Sequence, residues 1–195
     1  MIHFIKYLGF IILATTAFNA TAIDKEITEE SFKCLSEMTP VRSFFVDNLH
    51  GNLDATLDAA NNEGGAVYPA GSVVQLIPTE VMVKRDAGFN AATKDWEFFE
   101  LDVNDGKSAI RARGFTDVVN RFGGNCFDCH VKARPEFDLI CETGHGCDPI
   151  PLTPVMVRAI QKTDPRCATQ PELTAEEAEM LKVIKSFMDK KEEAS

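Results

Sequence analysis

Two cysteines and a histidine fall within five consecutive residues of the C-terminal half of the chain. Cys126-Phe127-Asp128-Cys129-His130 has the C-x-x-C-H spacing of a c-type haem attachment site. Cysteines three positions apart lie on one helical turn and can both reach the vinyl-derived carbons on one porphyrin edge. The adjacent histidine can then donate a ring nitrogen to the iron. The motif predicts one covalently bound haem c, with Cys126 and Cys129 as anchors and His130 as the metal ligand.

Two other uses of a C-x-x-C pair need surroundings that this sequence lacks. A thioredoxin-like redox pair requires a βαβ context, whereas a zinc site requires a second C-x-x-C or an H-x-x-x-H. The sequence has a single C-x-x-C and no such histidine pair. Haem attachment is therefore the favoured interpretation.

The second axial position on the iron distinguishes electron transfer from ligand binding. A methionine or a second histidine there gives a six-coordinate electron carrier, and an empty apolar pocket gives a gas-binding or substrate-oxidising centre. The candidates beyond the leader are His50, His145, Met38, Met82, Met156, Met180 and Met188. Met82, Met156 and Met180 occupy apolar positions of predicted helices and strands, where a methionine is more often a core residue than an iron ligand. His145 lies between glycines, and we expect it to be exposed to solvent.

The first residues resemble a secretory leader. Lys6 precedes an apolar run from Tyr7 to Phe18, which is too short to span a bilayer core of about 30 Å. The small residues Ala20-Thr21-Ala22 predict cleavage after Ala22, and an uncleaved N-terminal anchor is the alternative. Residues 1–22 are thus a predicted signal peptide, with no membrane segment after cleavage. Together with the attachment motif this favours the bacterial periplasm, where disulfides persist.

Composition and charge restrict the class of protein further. The chain has 195 residues, 45% of them hydrophobic and 26% charged, which indicates a single globular domain over residues 23–195. Its formal net charge of −10 provides no electrostatic basis for binding nucleic acid or an anionic membrane surface. An acidic surface would suit a basic redox partner protein, although acidic residues more commonly just form a solvent-exposed surface.

The pattern of apolar residues predicts an α+β protein, with an antiparallel β-meander and helices at both ends packed on it. Residues 23–63 are predicted to be helical, because apolar residues recur at roughly helical spacing from Phe32 to Leu57, and Thr28 is a candidate N-cap. Residues 66–114 are predicted to be strands, with a hairpin at Asp105-Gly106. The strands are expected over Ser72 to Ile77, Val81 to Arg85, Trp96 to Val103 and Lys107 to Arg113.

The C-terminal part combines loops and helices. Residues 115–150 are loop-rich, and the haem motif is placed in a loop or helix after the strands. Thr153 is expected to cap a short helix through Lys162. Thr174 opens a capping box for an amphipathic helix to about Lys190.

Four of the six cysteines lie outside the attachment motif, and they allow three disulfide connectivities. We expect Cys141–Cys147 to close a small loop, and Cys34–Cys167 to tie the N-terminal segment to the C-terminal region. A metal site built from Cys141, His145 and Cys147 is the alternative, but it offers only three ligands and stands in an oxidising compartment.

Several motifs resemble the cytochrome P-460 and cytochrome c′-beta family. The resemblance covers roughly residues 30–141 and leaves a Cys-containing helical extension over residues 142–195. The motifs in chain order are Tyr68-Pro69-Ala70-Gly71-Ser72-Val73-Val74, Met82-Val83-Lys84-Arg85 through Asn90-Ala91-Ala92-Thr93-Lys94-Asp95-Trp96-Glu97-Phe98, Asn125-Cys126-Phe127-Asp128-Cys129-His130 and Phe137-Asp138-Leu139-Ile140. The lysine-to-tryptophan segment ahead of the haem motif is the more specific part.

The resemblance implies a largely antiparallel β fold, a homodimer and a five-coordinate haem with His130 as the proximal ligand. One branch of the family oxidises hydroxylamine and carries a lysine bonded to the porphyrin, whereas the other binds nitric oxide in an apolar pocket. The cross-linking position, counted five residues from Gly71, is Leu76 here, and Lys84 matches a different family lysine. Leu76 is therefore predicted to line the haem pocket. Which of Trp96, Phe98 and Phe99 join it is left open by the alternation.

We therefore expect a periplasmic monohaem c-type cytochrome that binds a small gas such as nitric oxide at a five-coordinate iron. An electron carrier with a Met or His sixth ligand is the first alternative. A hydroxylamine-oxidising enzyme cross-linked at Lys84 or another lysine is the second. The sequence favours a ligand-binding protein over an enzyme. As an enzyme, it would be an oxidoreductase acting on hydroxylamine or nitric oxide.

Overall fold

A six-stranded antiparallel sheet forms the centre of the protein, and its strands lie in the order in which they occur along the chain. The computed structural model describes residues 26–193, so the predicted leader lies outside the described residues. The strands are β1 (Thr39–Val41), β2 (Phe44–Asn48), β3 (Ser72–Ile77), β4 (Glu80–Lys84), β5 (Trp96–Asn104) and β6 (Lys107–Gly114). The helices are α1 (Leu53–Ala60), α2 (Cys126–His130), α3 (Pro154–Lys162) and α4 (Ala175–Glu193). The predicted α+β class is confirmed.

The helical prediction for residues 23–63 is wrong over β1 and β2. The five residues of β2 alternate strictly between buried and half-buried, which is the period of a strand. Arg42 has a φ of 48°, a left-handed conformation that turns β1 directly back onto β2. Between residue 26 and β1 the chain forms two short 3₁₀ turns, and α1 begins at Leu53.

Both faces of the sheet are buried, and each carries its own hydrophobic cluster. We call the first the C-x-x-C-H face, because Cys126 and Phe127 pack against its cluster of buried residues, which includes Val74, Met82 and Phe98. The opposite face includes Phe99 and is covered by the N-terminal segment from Ile27 to Met38. Since both faces are covered there, β3, β4 and the first six residues of β5 are buried or half-buried without alternation between the two faces.

The C-terminal helices begin where the sequence predicts. The Thr153 side chain accepts a hydrogen bond from the Met156 amide at the start of α3. Thr174 and Glu177 exchange side-chain-to-amide bonds at the start of α4, as a capping box requires. Within residues 26–193, no helix combines the length and the apolar character needed to cross a membrane.

The expected disulfides are both present, Cys34–Cys167 and Cys141–Cys147. The sulfurs of Cys141 and Cys147 are bonded to each other, so the alternative metal site with His145 is excluded. Cys34 and Cys167 also lie near the Asp164 carboxylate in an arrangement that could hold a metal ion. Their sulfurs are likewise consumed by a disulfide.

Candidate haem-attachment site

The attachment motif forms the short helix α2, which its flanking residue starts. The Asn125 side chain accepts a hydrogen bond from the Asp128 amide at 2.9 Å, and so caps the helix. The same side chain donates to the Thr116 carbonyl, while the Cys126 amide bonds to the Val118 carbonyl at 3.0 Å. These bonds fix α2 to the segment that leaves β6. The two cysteines therefore share one helical turn.

Cys126 and Cys129 are the free thiols among the cysteines of the chain, because the other four form disulfides. Both are half-buried. Burial raises the pKa of the Cys126 thiol to about 12, and the nearby Glu80 and Glu100 carboxylates add to the effect. Burial also raises the pKa of Cys129. The raised pKa values keep both thiols in their neutral form near pH 7.

The His130 ring is fixed through one nitrogen. Its Nδ1 lies 2.7 Å from the Leu139 carbonyl oxygen, and the ring is tilted against Phe98 with centroids 5.4 Å apart. A carbonyl only accepts, so Nδ1 carries the proton and Nε2 presents a lone pair. Burial lowers the pKa of His130, which favours the neutral imidazole that a metal needs.

Leu76 and two aromatic residues lie on the same side of the sheet as α2. Half-buried Leu76 packs on the cluster that also contacts Cys126, and its carbonyl accepts a hydrogen bond from Gln161 of α3 at 2.7 Å. The register of β3 on β4 is interrupted at this residue, as in a β-bulge. Trp96 and Phe98 belong to the C-x-x-C-H face, whereas Phe99 lies on the opposite face.

The candidate sixth ligands are separated by the fold. Met82 is the methionine buried on the C-x-x-C-H face, and Met38 is buried on the other face. Met156, Met180 and Met188 lie on α3 and α4, and His50 is exposed.

The expectation that His145 is solvent-exposed is wrong. Its ring is half-buried and stacks on Phe137 at a centroid distance of 3.6 Å, while its Nδ1 lies 2.8 Å from the Ile140 carbonyl oxygen. The Cys141–Cys147 disulfide draws the loop back over Phe137, which covers the ring.

Lys84 is committed to a buried ion pair. Its Nζ donates to both Asp138 carboxylate oxygens, at 2.8 and 3.0 Å, and to the Lys94 carbonyl at 2.7 Å. These three acceptors match the three protons of an ammonium group. Deprotonating Lys84 for a covalent bond to a porphyrin would leave the buried Asp138 carboxylate without its cation.

The sequence reasoning missed a pair of carboxyl groups beside Cys126. Glu80 and Glu100 are direct cross-strand partners in β4 and β5. Glu100 is fully buried, with one oxygen bonded to Arg121 and the other, Oε2, without a partner. Burial and the Glu100 charge raise the pKa of Glu80 to about 7. The strand pattern was the signal that could have located this pair. Glu80 immediately precedes the apolar run of β4, and Glu100 interrupts that of β5, so pairing the two strands brings the carboxyl groups together.

We expect the substitution Glu80→Gln to flatten the pH dependence of stability. The pKa of Glu80 rises from 4.5 to about 7 on folding, so the folded protein holds a proton that the unfolded chain releases in this window. The free energy of unfolding should therefore fall as pH rises from about 4.5 to 7, by about 3 kcal/mol, and the glutamine variant should lose that decrease. Denaturant unfolding at pH 5 and pH 8 measures it.

A matched control is Glu63→Gln, in an exposed turn. Its pH dependence should equal that of the parent protein. If Glu80→Gln still loses as much stability between pH 5 and pH 8 as the parent protein, the raised pKa of Glu80 is contradicted.

One cleft of the described residues does not include the motif among its lining residues. It has a volume of about 650 Å³, and Arg42, Tyr68, Glu142 and His145 are among the residues that line it. Cys126, Cys129 and His130 are not among them. Its lining includes Phe137 and Ile140, which flank the residue whose carbonyl meets His130, and Ile140 belongs to the cluster of the C-x-x-C-H face.

The residues present fit a c-type haem. Such a haem requires two thiols and an imidazole nitrogen, and the site offers two free thiols on one turn and a neutral imidazole with Nε2 available. The adjoining sheet face supplies apolar surroundings. Comparison of the chain with models of known protein families, with curated proteins and with solved structures found no match. The residues of the site are therefore the guide to function.

Proposed function

We propose that this protein is a periplasmic monohaem c-type cytochrome whose five-coordinate iron binds a small gas such as nitric oxide. One observation carries the proposal: in a chain whose other cysteines are paired, a free dithiol shares a helical turn with an imidazole held through Nδ1. Cys126 and Cys129 would hold the haem covalently, and His130 Nε2 would bind its iron. The bound haem supplies an iron with an open position for a diatomic ligand.

The apolar surroundings support a neutral ligand. Leu76, Met82 and Phe98 lie on the C-x-x-C-H face. An anion placed against such side chains loses its hydration without gaining a partner, which costs several kcal/mol. Nitric oxide and carbon monoxide carry no charge and pay no such cost.

The spectrum of the ferrous protein tests this proposal. The purified protein, expressed in a host that attaches c-type haem, should give a high-spin five-coordinate ferrous spectrum that shifts on addition of nitric oxide or carbon monoxide. A low-spin six-coordinate spectrum that neither gas perturbs would refute gas binding. Absence of covalent haem would refute the cytochrome assignment altogether.

An electron carrier with a sixth iron ligand is the second candidate. The position of Met82 favours this methionine over the other candidate ligands. Met82 is buried in the cluster that Cys126 and Phe127 join. If the iron is five-coordinate, Met82→Leu, which conserves volume, should leave the ferrous spectrum unchanged. Its affinity for gas should stay within about twofold of that of the parent protein.

Conversion of a low-spin spectrum to a high-spin one in Met82→Leu would instead establish the electron carrier. Met38→Leu is the matched control, because Met38 is a buried methionine on the opposite face of the sheet. It should leave the spectrum unchanged in either case.

Two observations weigh against hydroxylamine oxidation. The family's cross-linking position is Leu76, and the amine of Lys84 is held by Asp138. A haem peptide with the mass of haem plus the C-x-x-C-H segment alone would agree with this. Additional lysine-containing mass would support the enzyme.

The location and partners follow from the same proposal. A cleaved leader and two disulfides suit the periplasm. We propose a homodimer on the family resemblance, and a basic redox protein as the partner that the net charge of −10 would favour.

A further inference from the structure

The segment that follows α2 contains two consecutive residues in an unusual backbone conformation. Asp138 and Leu139 have φ values of 50° and 66°, in the left-handed region that side chains other than glycine rarely adopt. Such a conformation persists only where the surroundings hold it. Both residues are buried, with 1% and 3% of their surface exposed.

The sheet and the segment before it hold Asp138 at both its side chain and its backbone. Lys84 Nζ of β4 donates to both carboxylate oxygens, and the Tyr68 amide donates to Oδ2 at 2.9 Å. Trp96 Nε1 of β5 donates to the Asp138 carbonyl at 2.7 Å. All three donors come from buried residues. The orientation of this residue is therefore set by the rigid centre of the fold and not by its own loop.

The next carbonyl along the chain is the one that meets the haem motif. Leu139 accepts the hydrogen bond from His130 Nδ1 at 2.7 Å. Because Asp138 is fixed on both sides of its α-carbon, the direction of the Leu139 peptide is limited to a narrow range. The chain of contacts thus runs from Lys84 through Asp138 and Leu139 to His130.

We infer that Asp138 is a positioning residue for the iron ligand, which acts by holding the Leu139 carbonyl against His130 Nδ1. This inference rests on the proposed function for the identity of the metal. A hydrogen bond from Nδ1–H to an oxygen fixes the tautomer and the ring plane, and it makes Nε2 a stronger donor to the iron. A stronger donor stabilises ferric over ferrous iron. Loss of the hydrogen bond should therefore raise the reduction potential.

The substitution Asp138→Asn tests the inference in the holoprotein. Asparagine keeps the shape but loses the charge that holds Lys84, so the Leu139 carbonyl should be released. The expected results are a higher midpoint potential and a lower iron–histidine stretching frequency in the resonance Raman spectrum of the ferrous protein. A potential and a frequency equal to those of the parent would overturn the inference.

Asp164→Asn is the matched control. Asp164 is also fully buried, pairs with Arg166 at 2.8 Å and accepts a hydrogen bond from the Leu35 amide at 3.0 Å. Its loss should lower stability as Asp138→Asn does, yet leave the potential and the Raman frequency unchanged. A general loosening of the fold would instead move both variants together and would contradict a specific role for Asp138.

Trp96→Phe provides a second variant if Asp138→Asn does not fold. It removes the Nε1 donor to the Asp138 carbonyl and leaves every charge in place. The shift in potential should have the same sign and be smaller. An unchanged potential in a folded Trp96→Phe protein, with Asp138→Asn unfolded, would overturn the inference.

A measurement on the haem-free full-length chain separates this inference from the proposed function. The ¹⁵N shifts of His130 should report the Nδ1–H tautomer in the parent and a mixture of tautomers in Asp138→Asn. Covalent haem on the parent protein is assayed independently by mass. Absence of haem together with the tautomer change would refute the proposed function alone. Haem together with identical tautomers in both proteins would refute the role of Asp138 alone.

Discussion

The paired substitution Cys126→Ser and Cys129→Ser is expected to abolish covalent haem attachment. Serine keeps the size and the helical turn of α2, but its hydroxyl does not form a thioether with the porphyrin vinyl groups. The parent protein should carry the mass of one haem after denaturation, and the variant should carry none. Intact-protein mass spectrometry and haem staining of a denaturing gel both measure this directly.

The chain offers a control with the same chemistry. Cys141→Ser and Cys147→Ser remove two cysteines that the structure pairs in a disulfide next to the haem motif. This variant should retain one haem. Equal haem content in the two double variants would show that the free thiols of α2 are not the anchors, and the proposed function would fail at its first step.

Local signals allowed much of this site to be predicted. The C-x-x-C-H motif spans five residues, so the sequence alone placed its thiols and imidazole on one turn. The Cys141–Cys147 pairing was equally local, because a loop this short limits the choice of partner. The hairpin at Asp105-Gly106 and the capped starts of α3 and α4 depend on residues within four positions of one another.

Burial on both faces of the sheet explains why the sequence did not assign the strands and their faces fully. A one-sided sheet alternates apolar with polar residues, and the alternation reveals which side faces the core. Here Phe98 and Phe99 are both almost fully buried, on opposite faces, so their sequence carried no information about which one lies near α2. For the same reason Phe44 and Phe45 suggested a helix, although they belong to β2.

Long-range polar contacts lay beyond the sequence altogether. Lys84 and Asp138 are 54 positions apart, and nothing near either residue marks the other as its partner. Glu80 and Glu100 meet only through the register of β4 on β5. Such contacts follow from the completed topology, and they are the ones that give the motif its particular environment. The local motif indicates which group the proposed site would bind, and the distant contacts would adjust the chemistry of that group.

Removing the Cys34–Cys167 disulfide should lower the free energy of unfolding by about 5 kcal/mol. The two residues are 133 positions apart, and the entropy that a cross-link removes from the unfolded chain grows with the logarithm of the closed loop. Domains of this kind have a total stability of about 5–15 kcal/mol. Cys34→Ser with Cys167→Ser should therefore be only marginally folded, as measured by guanidinium unfolding followed by circular dichroism.

Removing Cys141–Cys147 is the comparison that isolates the loop-length effect. Its cysteines are six positions apart, and the same relation gives about 2 kcal/mol. The two double variants each replace two cysteines by serine, so their difference of about 3 kcal/mol reports loop closure and not the side-chain change. A larger loss from the short loop would mean that native contacts dominate, such as the bond between the Arg134 amide and the His145 carbonyl.

The long disulfide also has a position in the fold that makes its loss consequential. It joins the segment that covers the opposite face of the sheet to the residues after α3, where the Leu35 amide already bonds to the buried Asp164. Reduction would leave this hydrogen bond, the bonds from Ser108 and Arg113 to the carbonyls of Phe32 and Ile27, and apolar packing to hold the segment against the entropy of a long chain. The cover over Phe99 should therefore open first, well before α2 separates from the C-x-x-C-H face. As denaturant is added to the reduced protein, amide hydrogen exchange should accordingly accelerate at Leu35 at a lower concentration than at Cys126. The reverse order would show that the disulfide does not hold this cover in place.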